Sequence, residues 1–128
     1  MTNYKVLSIR QPWAALIVRG IKPVDNRTWR TDYRGIVLIH AAQAYDHDNS
    51  DPVIERLYNI DPDALDYGAV IGMAYLADIV TQHRSPFFKG PYGWVFSQPR
   101  PVKPVPMRGY VRLFNARLPK PLRPARRQ

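Results

Sequence analysis

Apolar residues along this chain fall into short runs that predict β-strands. Residues 4–9 (YKVLSI) alternate weakly and are rich in strand-forming residue types, which indicates a first strand. The continuous apolar run from Ile36 to Ile39 is typical of a strand buried on both faces or in the core of a barrel. Residues 68–80 (GAVIGMAYLADIV) predict a central strand, in which Gly72 marks a bulge or bend.

Two more strands are predicted in the second half of the chain. In the segment YGWVF, Tyr92, Trp94 and Phe96 share one face, where aromatic rings can form core or stack against bases. The prolines within residues 98–106 are compatible with an edge strand or an extended segment. A last strand is predicted over residues 110–114.

A short helix is predicted after the first strand. Pro12 suits the first helical turn and Gly20 suits the position just after the last, which gives a helix of about ten residues. Trp13, Leu16 and Ile17 fall at helical spacing, so we expect them to pack inward together.

The segment from Gly20 to Gly35 (GIKPVDNRTWRTDYRG) is polar although apolar segments flank it on both sides. If residues 24–29 are extended, Asp25, Arg27 and Trp29 share one face of the strand. Neither face would be fully apolar. The pattern therefore indicates either a solvated edge strand or a strand that lines a wet cavity.

Residues 7–42 resemble the N-terminal half of the ASCH domain family, which belongs to the PUA-like superfamily, and segments within residues 68–114 resemble its second half. The resemblance implies an α+β fold, a small PUA-like β-barrel of about five to six strands with short flanking helices. It also implies a cleft that binds RNA or a nucleobase. Some relatives are ribonucleases, and others are amidohydrolases that act on acetylated cytidine.

Length and composition set the expected class of protein. A chain of 128 residues is expected to form one domain, here over residues 1–115. No run approaches the roughly 20 apolar residues of a membrane span, and the N-terminus lacks a signal-peptide pattern, so we expect a cytoplasmic protein, by default a monomer. The chain has no cysteine and its three histidines lack metal-ligand spacing, so we expect neither metal nor cofactor.

The net charge of +9 is unevenly distributed. Residues 45–67 carry one base against seven acids, whereas the blocks before and after them are basic. Lys and Arg neutralise phosphates, so this distribution suits a polyanion partner such as single-stranded RNA. It suits a merely solvated surface as well.

The acidic block is predicted to form a helical insert over residues 43–67, a lid or outer flank of the domain. Ser50 or Asp51 can cap a helix that begins at Pro52. The apolar face predicted for this region consists of Val53, Leu57 and Ile60. Residues 116–128 are basic and rich in proline, and we expect a flexible tail there.

The candidate site centres on the motif GIKPVDNR, which matches the G-x-K-x-x-(E/T/D)-x-R pattern of the family. Lys22 is expected to point into a water-filled hollow, where burial together with Arg10 and Arg27 would lower its pKa. A neutral Lys22 could act as a general base, and Asp25 could fix Arg27 or receive a proton. The catalytic candidates are therefore Lys22, Asp25 and Arg27.

In the amidohydrolase relatives a threonine stands at the position of Asp25, and a glutamate further along completes the site. Neither is evident in this sequence, which weakens the transfer of that activity. His40, at the end of a predicted strand, is interpreted as a hydrogen-bonded structural residue. Phosphates are expected to meet basic side chains, and a base is expected to stack on Trp29 or Tyr92. The full set of expected nucleic-acid contacts is Ser8, Arg10, Gln11, Trp13, Trp29, Arg30, Arg34, Lys89 and Tyr92.

Three functions stay open at this point. The first is a module that binds RNA or a nucleobase through a basic cleft around the motif. The second is a metal-independent ribonuclease or modified-nucleoside amidohydrolase with Lys22 as the base. The third is a protein-interaction module that uses the aromatic loop over residues 87–94 and the proline-rich tail.

Overall fold

A single six-stranded sheet organises the computed structural model, which describes residues 1–119 and 122–125. The strands are β1 (Thr2–Gln11), β2 (Val24–Arg27), β3 (Gly35–Tyr45), β4 (Ala69–Val80), β5 (Tyr92–Pro106) and β6 (Phe114–Leu118). Their order in the sheet is β2-β5-β4-β3-β1-β6. β1 and β3 are parallel, and every other neighbouring pair is antiparallel.

The sheet has two ends. Within the described residues no backbone pairing joins β2 to β6, so the sheet is open, and the predicted closed barrel is not confirmed. The coarser expectation is confirmed, because the fold is dominated by six strands and carries few, short helices.

The helices are α1 (Trp13–Val18), α2 (Pro52–Leu57) and one 3₁₀ turn (Pro62–Ala64). α1 has six residues rather than the predicted ten or so, because the chain leaves the helix at Arg19 and turns at Gly20, whose φ is +80°. Leu16 and Ile17 are buried against the sheet, as their spacing predicts. None of the helices in residues 1–119 or 122–125 has the length and apolar character needed to cross a bilayer.

α2 follows the predicted start but not the predicted apolar face. The Asp51 carboxylate accepts a hydrogen bond from the backbone N–H of Ile54 at 2.9 Å, which caps the helix. Of the three residues predicted to pack inward, only Ile60 is buried, whereas the side chains of Val53 and Leu57 are 60% and 68% exposed. Ile60 lies beyond the end of α2, and the inner side of the helix faces a cleft rather than a core.

β5 is one strand of 15 residues that includes the proline-rich segment. β2 pairs only with its first part, residues 92–95, so residues 96–106 have β4 on one side and an edge without β2 on the other. An edge tolerates prolines because no partner strand needs their missing N–H groups. On this edge Val102 bridges Pro124, and the Lys103 N–H donates to the Arg123 carbonyl at 2.6 Å.

The last strand lies further along the chain than predicted. Residues 110–113 belong to a loop, and β6 pairs with residues 2–6 of β1. The strand begins after Arg112, whose φ of +64° interrupts an extended backbone. Because β6 spans Phe114–Leu118, the predicted start of the tail at residue 116 lies inside this strand. Alternate side chains of β6 are half-buried. Lys120, Pro121 and residues 126–128 of the predicted tail lie outside the described residues.

Two apolar clusters cover the two faces of the sheet. The larger cluster includes Leu7, Ile17, Trp94 and Phe96, and α1 packs against it. The smaller cluster consists of Val6, Leu38, Val70 and Val102, with side chains of β6 packed over it. α1 can approach the sheet closely because β4 has Gly72 beneath Val18.

Gly72→Ala is expected to lower the free energy of unfolding by about 1–3 kcal/mol through overpacking. A Cβ at this position would lie 2.5 Å from Val18 Cγ2 and 2.8 Å from the Arg100 carbonyl oxygen. Urea unfolding measures the change, with the partly exposed Tyr75→Phe on the same strand as control. A loss below about 0.5 kcal/mol would show that helix and strand separate easily.

Candidate functional site

A cleft with a volume of about 580 Å³ opens beside β2. Residues of β1, α2, the motif and the loop before β5 form its walls. Its charged and aromatic lining includes Arg10, Trp13, Lys22, Asp25, Arg27, Asp46, Tyr58, Phe87 and Lys89. The acidic insert thus contributes one wall of the cleft through Ile54, Leu57 and Tyr58.

Lys22 points into this cleft and is 5% exposed. Its Nζ donates a hydrogen bond to the Val24 carbonyl at 2.6 Å and lies 3.7 Å from Asp25 Oδ1. The ammonium also faces two aromatic rings, at 5.8 Å from the centre of Trp13 and 6.0 Å from the centre of Phe87. The inward orientation expected from the sequence is therefore the one observed.

Burial lowers the pKa of Lys22, because the charged amine loses hydration. Asp25 raises this pKa and Arg27 lowers it, and the net direction is downward. Arg10 was also expected to lower it, but its guanidinium lies 3.9 Å from Asp46 at the rim. The long Arg10 side chain reaches an acid of the insert, which local sequence spacing could not indicate.

Asp25 lies between the two cations of the motif. Its Oδ2 accepts a hydrogen bond from Arg27 Nε at 2.7 Å, while its Oδ1 faces Lys22. Arg27 Nη2 donates to the Ser8 carbonyl of β1 at 2.9 Å. Because Asp25 and Arg27 are two residues apart on an extended strand, they share a face as predicted. The carboxylate therefore fixes the guanidinium in one orientation.

The opposite face of β2 holds the loop before β5. Asn26 Nδ2 donates to the Phe87 carbonyl at 2.9 Å, and its Oδ1 accepts from the backbone N–H groups of Lys89 and Gly90. These bonds place Phe87 against the cleft. This role of Asn26 was not predicted from the sequence, which indicated only that neither face of the strand is fully apolar. Phe87 and Phe88 of the aromatic loop are half-buried, and Trp94, which belongs to β5, is fully buried.

Asp46 is a second buried carboxylate of the cleft that the sequence did not single out. Its Oδ2 accepts from Trp13 Nε1 at 2.8 Å, and Asn49 donates to both carboxylate oxygens. Burial raises the pKa of Asp46, but the hydrogen bonds and the charge of Arg10 outweigh burial, so the pKa is lowered. The ionised group orients the indole of Trp13 as one wall.

A second cavity of about 850 Å³ adjoins the cleft, and Ser8, Arg27 and Ala42 line both spaces. Trp29 lies here rather than beside Lys22, with its ring 4.6 Å from that of Trp94. His40 is buried in the floor, where Ser8 Oγ is 2.9 Å from Nδ1 and the Met107 carbonyl is 2.8 Å from Nε2. These contacts fit the structural role predicted for His40.

Four of the predicted contact residues line neither cavity. Gln11 is buried, donating to the Asp66 carbonyl and accepting from the N–H of Ala15, so it supports α1. Arg30 stacks on Tyr92 at 5.6 Å, and Arg34 donates to nearby backbone carbonyls. The alternation predicted over residues 24–29 does not reach Trp29, because β2 ends at residue 27 and the chain bends there. The predicted site residues that do line the cleft are Ser8, Arg10, Trp13, Lys22, Asp25, Arg27 and Lys89.

Comparison with known proteins gives a consistent assignment. A sequence model described as the ASCH domain matches residues 7–97. Activating signal cointegrator 1 of Homo sapiens is 57% identical over 35 residues, as is its Mus musculus counterpart. The match covers 27% of this chain and 6% of each relative, so the chain spans a small fraction of their length.

Solved structures agree on the fold. The crystal structure of ASCH from Zymomonas mobilis has a TM-score of 0.52 and 20% identity, over 80% of this chain and 73% of that one. A tyrosine-to-phenylalanine mutant of the same protein gives a TM-score of 0.51 at 20% identity, over 80% of this chain and 75% of the mutant chain. At this identity the similarity establishes the fold alone.

The lowered pKa of Lys22 predicts a specific dependence of stability on pH. Between the lowered pKa and the ordinary value of 10.5, the unfolded chain binds more protons than the folded one, so the free energy of unfolding rises with pH. Lys22→Met removes this contribution. The free energy of unfolding of the wild type minus that of the variant is expected to increase from about pH 7 to 9.5 in urea titrations.

Measurements stop below pH 10 because burial raises the pKa of Tyr45 to about 12. Above pH 10 the unfolded chain loses the Tyr45 proton that the folded chain keeps, so the free energy of unfolding falls as pH rises. Lys22→Arg, which stays charged, is the matched control and should also lack the rise. A wild-type minus variant difference that stays constant over the range would contradict a lowered Lys22 pKa.

Proposed function

Because the chain belongs to the ASCH domain family, we propose that it binds RNA, or a nucleobase, in the cleft around Lys22. The observation that carries the proposal is a buried ammonium that faces two aromatic rings inside the cleft. Burial of an amine costs free energy, so such groups occur mostly where they have partners or a function.

The donors of Lys22 support a ligand with an exposed oxygen atom. An ammonium has three N–H donors; the Val24 carbonyl takes one and Asp25 lies at ion-pair distance from a second. One donor is left for an acceptor in the cleft. The keto oxygen of a base or a phosphate oxygen fits this requirement.

The walls of the cleft support a flat, aromatic ligand. The ring of Trp13 is fixed by Asp46, and Phe87 is placed by Asn26, so two apolar surfaces stand beside the ammonium. Stacking of a base on an aromatic side chain contributes about 1–3 kcal/mol and does not depend strongly on the base. The cleft therefore suits nucleobases as a class.

The rim supports contact with a phosphate backbone. Arg10 and Lys89 line the cleft with exposed side chains. Both acids of the cleft, Asp25 and Asp46, are bound by cations or N–H donors, which offsets their repulsion of phosphate. Phosphate contacts at the rim would position a nucleic acid, whereas the buried part of the cleft would hold a base.

Binding can be measured with fluorescently labelled single-stranded RNA of about eight nucleotides, oligouridylate and oligoadenylate, between about 50 and 200 mM salt. Lys22→Ala is expected to weaken binding at least about tenfold, because it removes the buried donor. Wild-type affinity should fall as salt rises, since counterions are released. Arg19→Ala, outside both cavities, is the control. Binding that ignores both the salt concentration and Lys22→Ala would refute the proposal.

A second candidate, hydrolysis of RNA or of a modified nucleoside, is favoured by the lowered pKa of Lys22. A neutral amine could remove a proton from a nucleophile, while Arg27, held by Asp25, could stabilise developing negative charge. The Lys22 ammonium formed in this way could then return the proton to the leaving group as its bond breaks.

The hydrolase candidate is tested with highly purified wild type and Lys22→Ala on RNA and on acetylated cytidine. If Lys22 is the base, the variant should lose about 100-fold or more of the rate, and the wild-type rate should rise with pH through the lowered pKa. Equal traces of activity in both proteins would identify a contaminant and reject this candidate.

A further inference from the structure

We propose that the second cavity is a phosphate subsite, which binds the phosphate attached to the nucleoside whose base occupies the Lys22 cleft. This inference rests on the proposed function and extends it to the class of ligand, a nucleotide within RNA rather than a free base. The two spaces are neighbours, since Ser8 and Arg27 line both of them.

The charge of the second cavity differs from that of the cleft. Three arginines line it, Arg27, Arg108 and Arg112, and of these Arg27 is paired with Asp25. None of the described residues in its lining is acidic, whereas the cleft includes Asp25 and Asp46. A cavity walled by guanidinium groups attracts anions, and the planar fork of Arg matches the geometry of phosphate.

Arg108 and Arg112 each lie near an aromatic ring. The guanidinium carbon of Arg108 lies 5.2 Å from the ring centre of Tyr110, and that of Arg112 lies 5.2 Å from the ring centre of Trp29. Within the described part of the chain neither has a carboxylate within 4.0 Å. A guanidinium that lies over a ring and has no carboxylate partner keeps N–H donors for a ligand.

The loop over residues 107–113 that carries both arginines is held tightly at its base. The Met107 carbonyl can only accept a hydrogen bond, so His40 Nε2 donates to it, and His40 Nδ1 lies 2.9 Å from the Ser8 hydroxyl oxygen. A Cβ at Gly109 would lie 2.7 Å from His40 Cε1, which shows how closely the loop crosses this pair. His40 is thus a positioning residue for the loop.

The conformation of Arg112 also fits a ligand clamp. Its φ of +64° is uncommon for a residue with a side chain, and such strained residues concentrate at binding sites. The loop exposes 90% of Val111, so packing of the tip alone does not account for this backbone. The Arg112 guanidinium lies over Trp29, and both residues line the cavity.

Calorimetric titration of the full chain tests the subsite with three kinds of probe: the four ribonucleosides, their 3′- and 5′-monophosphates, and inorganic phosphate. Wild type is expected to bind the best monophosphate at least about tenfold more tightly than its nucleoside. Arg108→Ala/Arg112→Ala should reduce that affinity to the nucleoside level and leave nucleoside affinity unchanged. Arg19→Ala/Arg100→Ala removes the same charge outside both cavities and should retain the preference.

The outcomes separate this inference from the proposed function. If the Arg108/Arg112 double variant keeps the phosphate preference while Lys22→Ala loses nucleoside binding, the subsite is wrong and the base pocket stands. If Lys22→Ala binds nucleosides as wild type does while the double variant loses phosphate affinity, the anion site stands and the proposed function fails. Inorganic phosphate that binds as tightly as the monophosphates would indicate a site for free phosphate and overturn the subsite.

Discussion

The buried carboxylate of Asp25 is the group on which the arrangement of the cleft depends. It faces the Lys22 ammonium on one side and binds the Arg27 guanidinium on the other. Isolated charges are costly to bury, and each of these three is tolerated because of its partners. The spacing K-x-x-D-x-R provides the geometry: Asp25 and Arg27 share a strand face, and Lys22 reaches back from the turn after α1.

Arg27 connects β2 to β1, a strand near the other end of the sheet. β2 lies at one end of the open sheet and β1 lies near the other, yet Arg27 donates to the Ser8 carbonyl of β1. The curl of the sheet therefore brings its two ends together, and a side chain rather than a backbone ladder connects them. This gap leaves room for two adjoining cavities, which continuous strand pairing would fill.

Sequence reasoning worked where local physics dominates. The alternation of the motif placed Asp25 and Arg27 on one face, and Asp51 was one of the two predicted candidates for the helix cap. It failed where contacts with residues distant in the chain determine the position of a side chain or a loop. Gln11 was expected to meet nucleic acid but supports α1 and the residues before β4. Arg108 and Arg112 escaped notice because only the pairing of β6 with β1 turns their segment into a loop beside Ser8.

The proline-rich half of β5 affects how copies of this chain meet one another. A long exposed strand edge offers unpaired N–H and C=O groups to a neighbouring molecule and so promotes aggregation. Here four positions of the edge, Pro99, Pro101, Pro104 and Pro106, have no N–H to offer, and the N–H of Lys103 is already taken by Arg123. The segment from Leu122 to Ala125 therefore acts as a cover that limits intermolecular strand pairing.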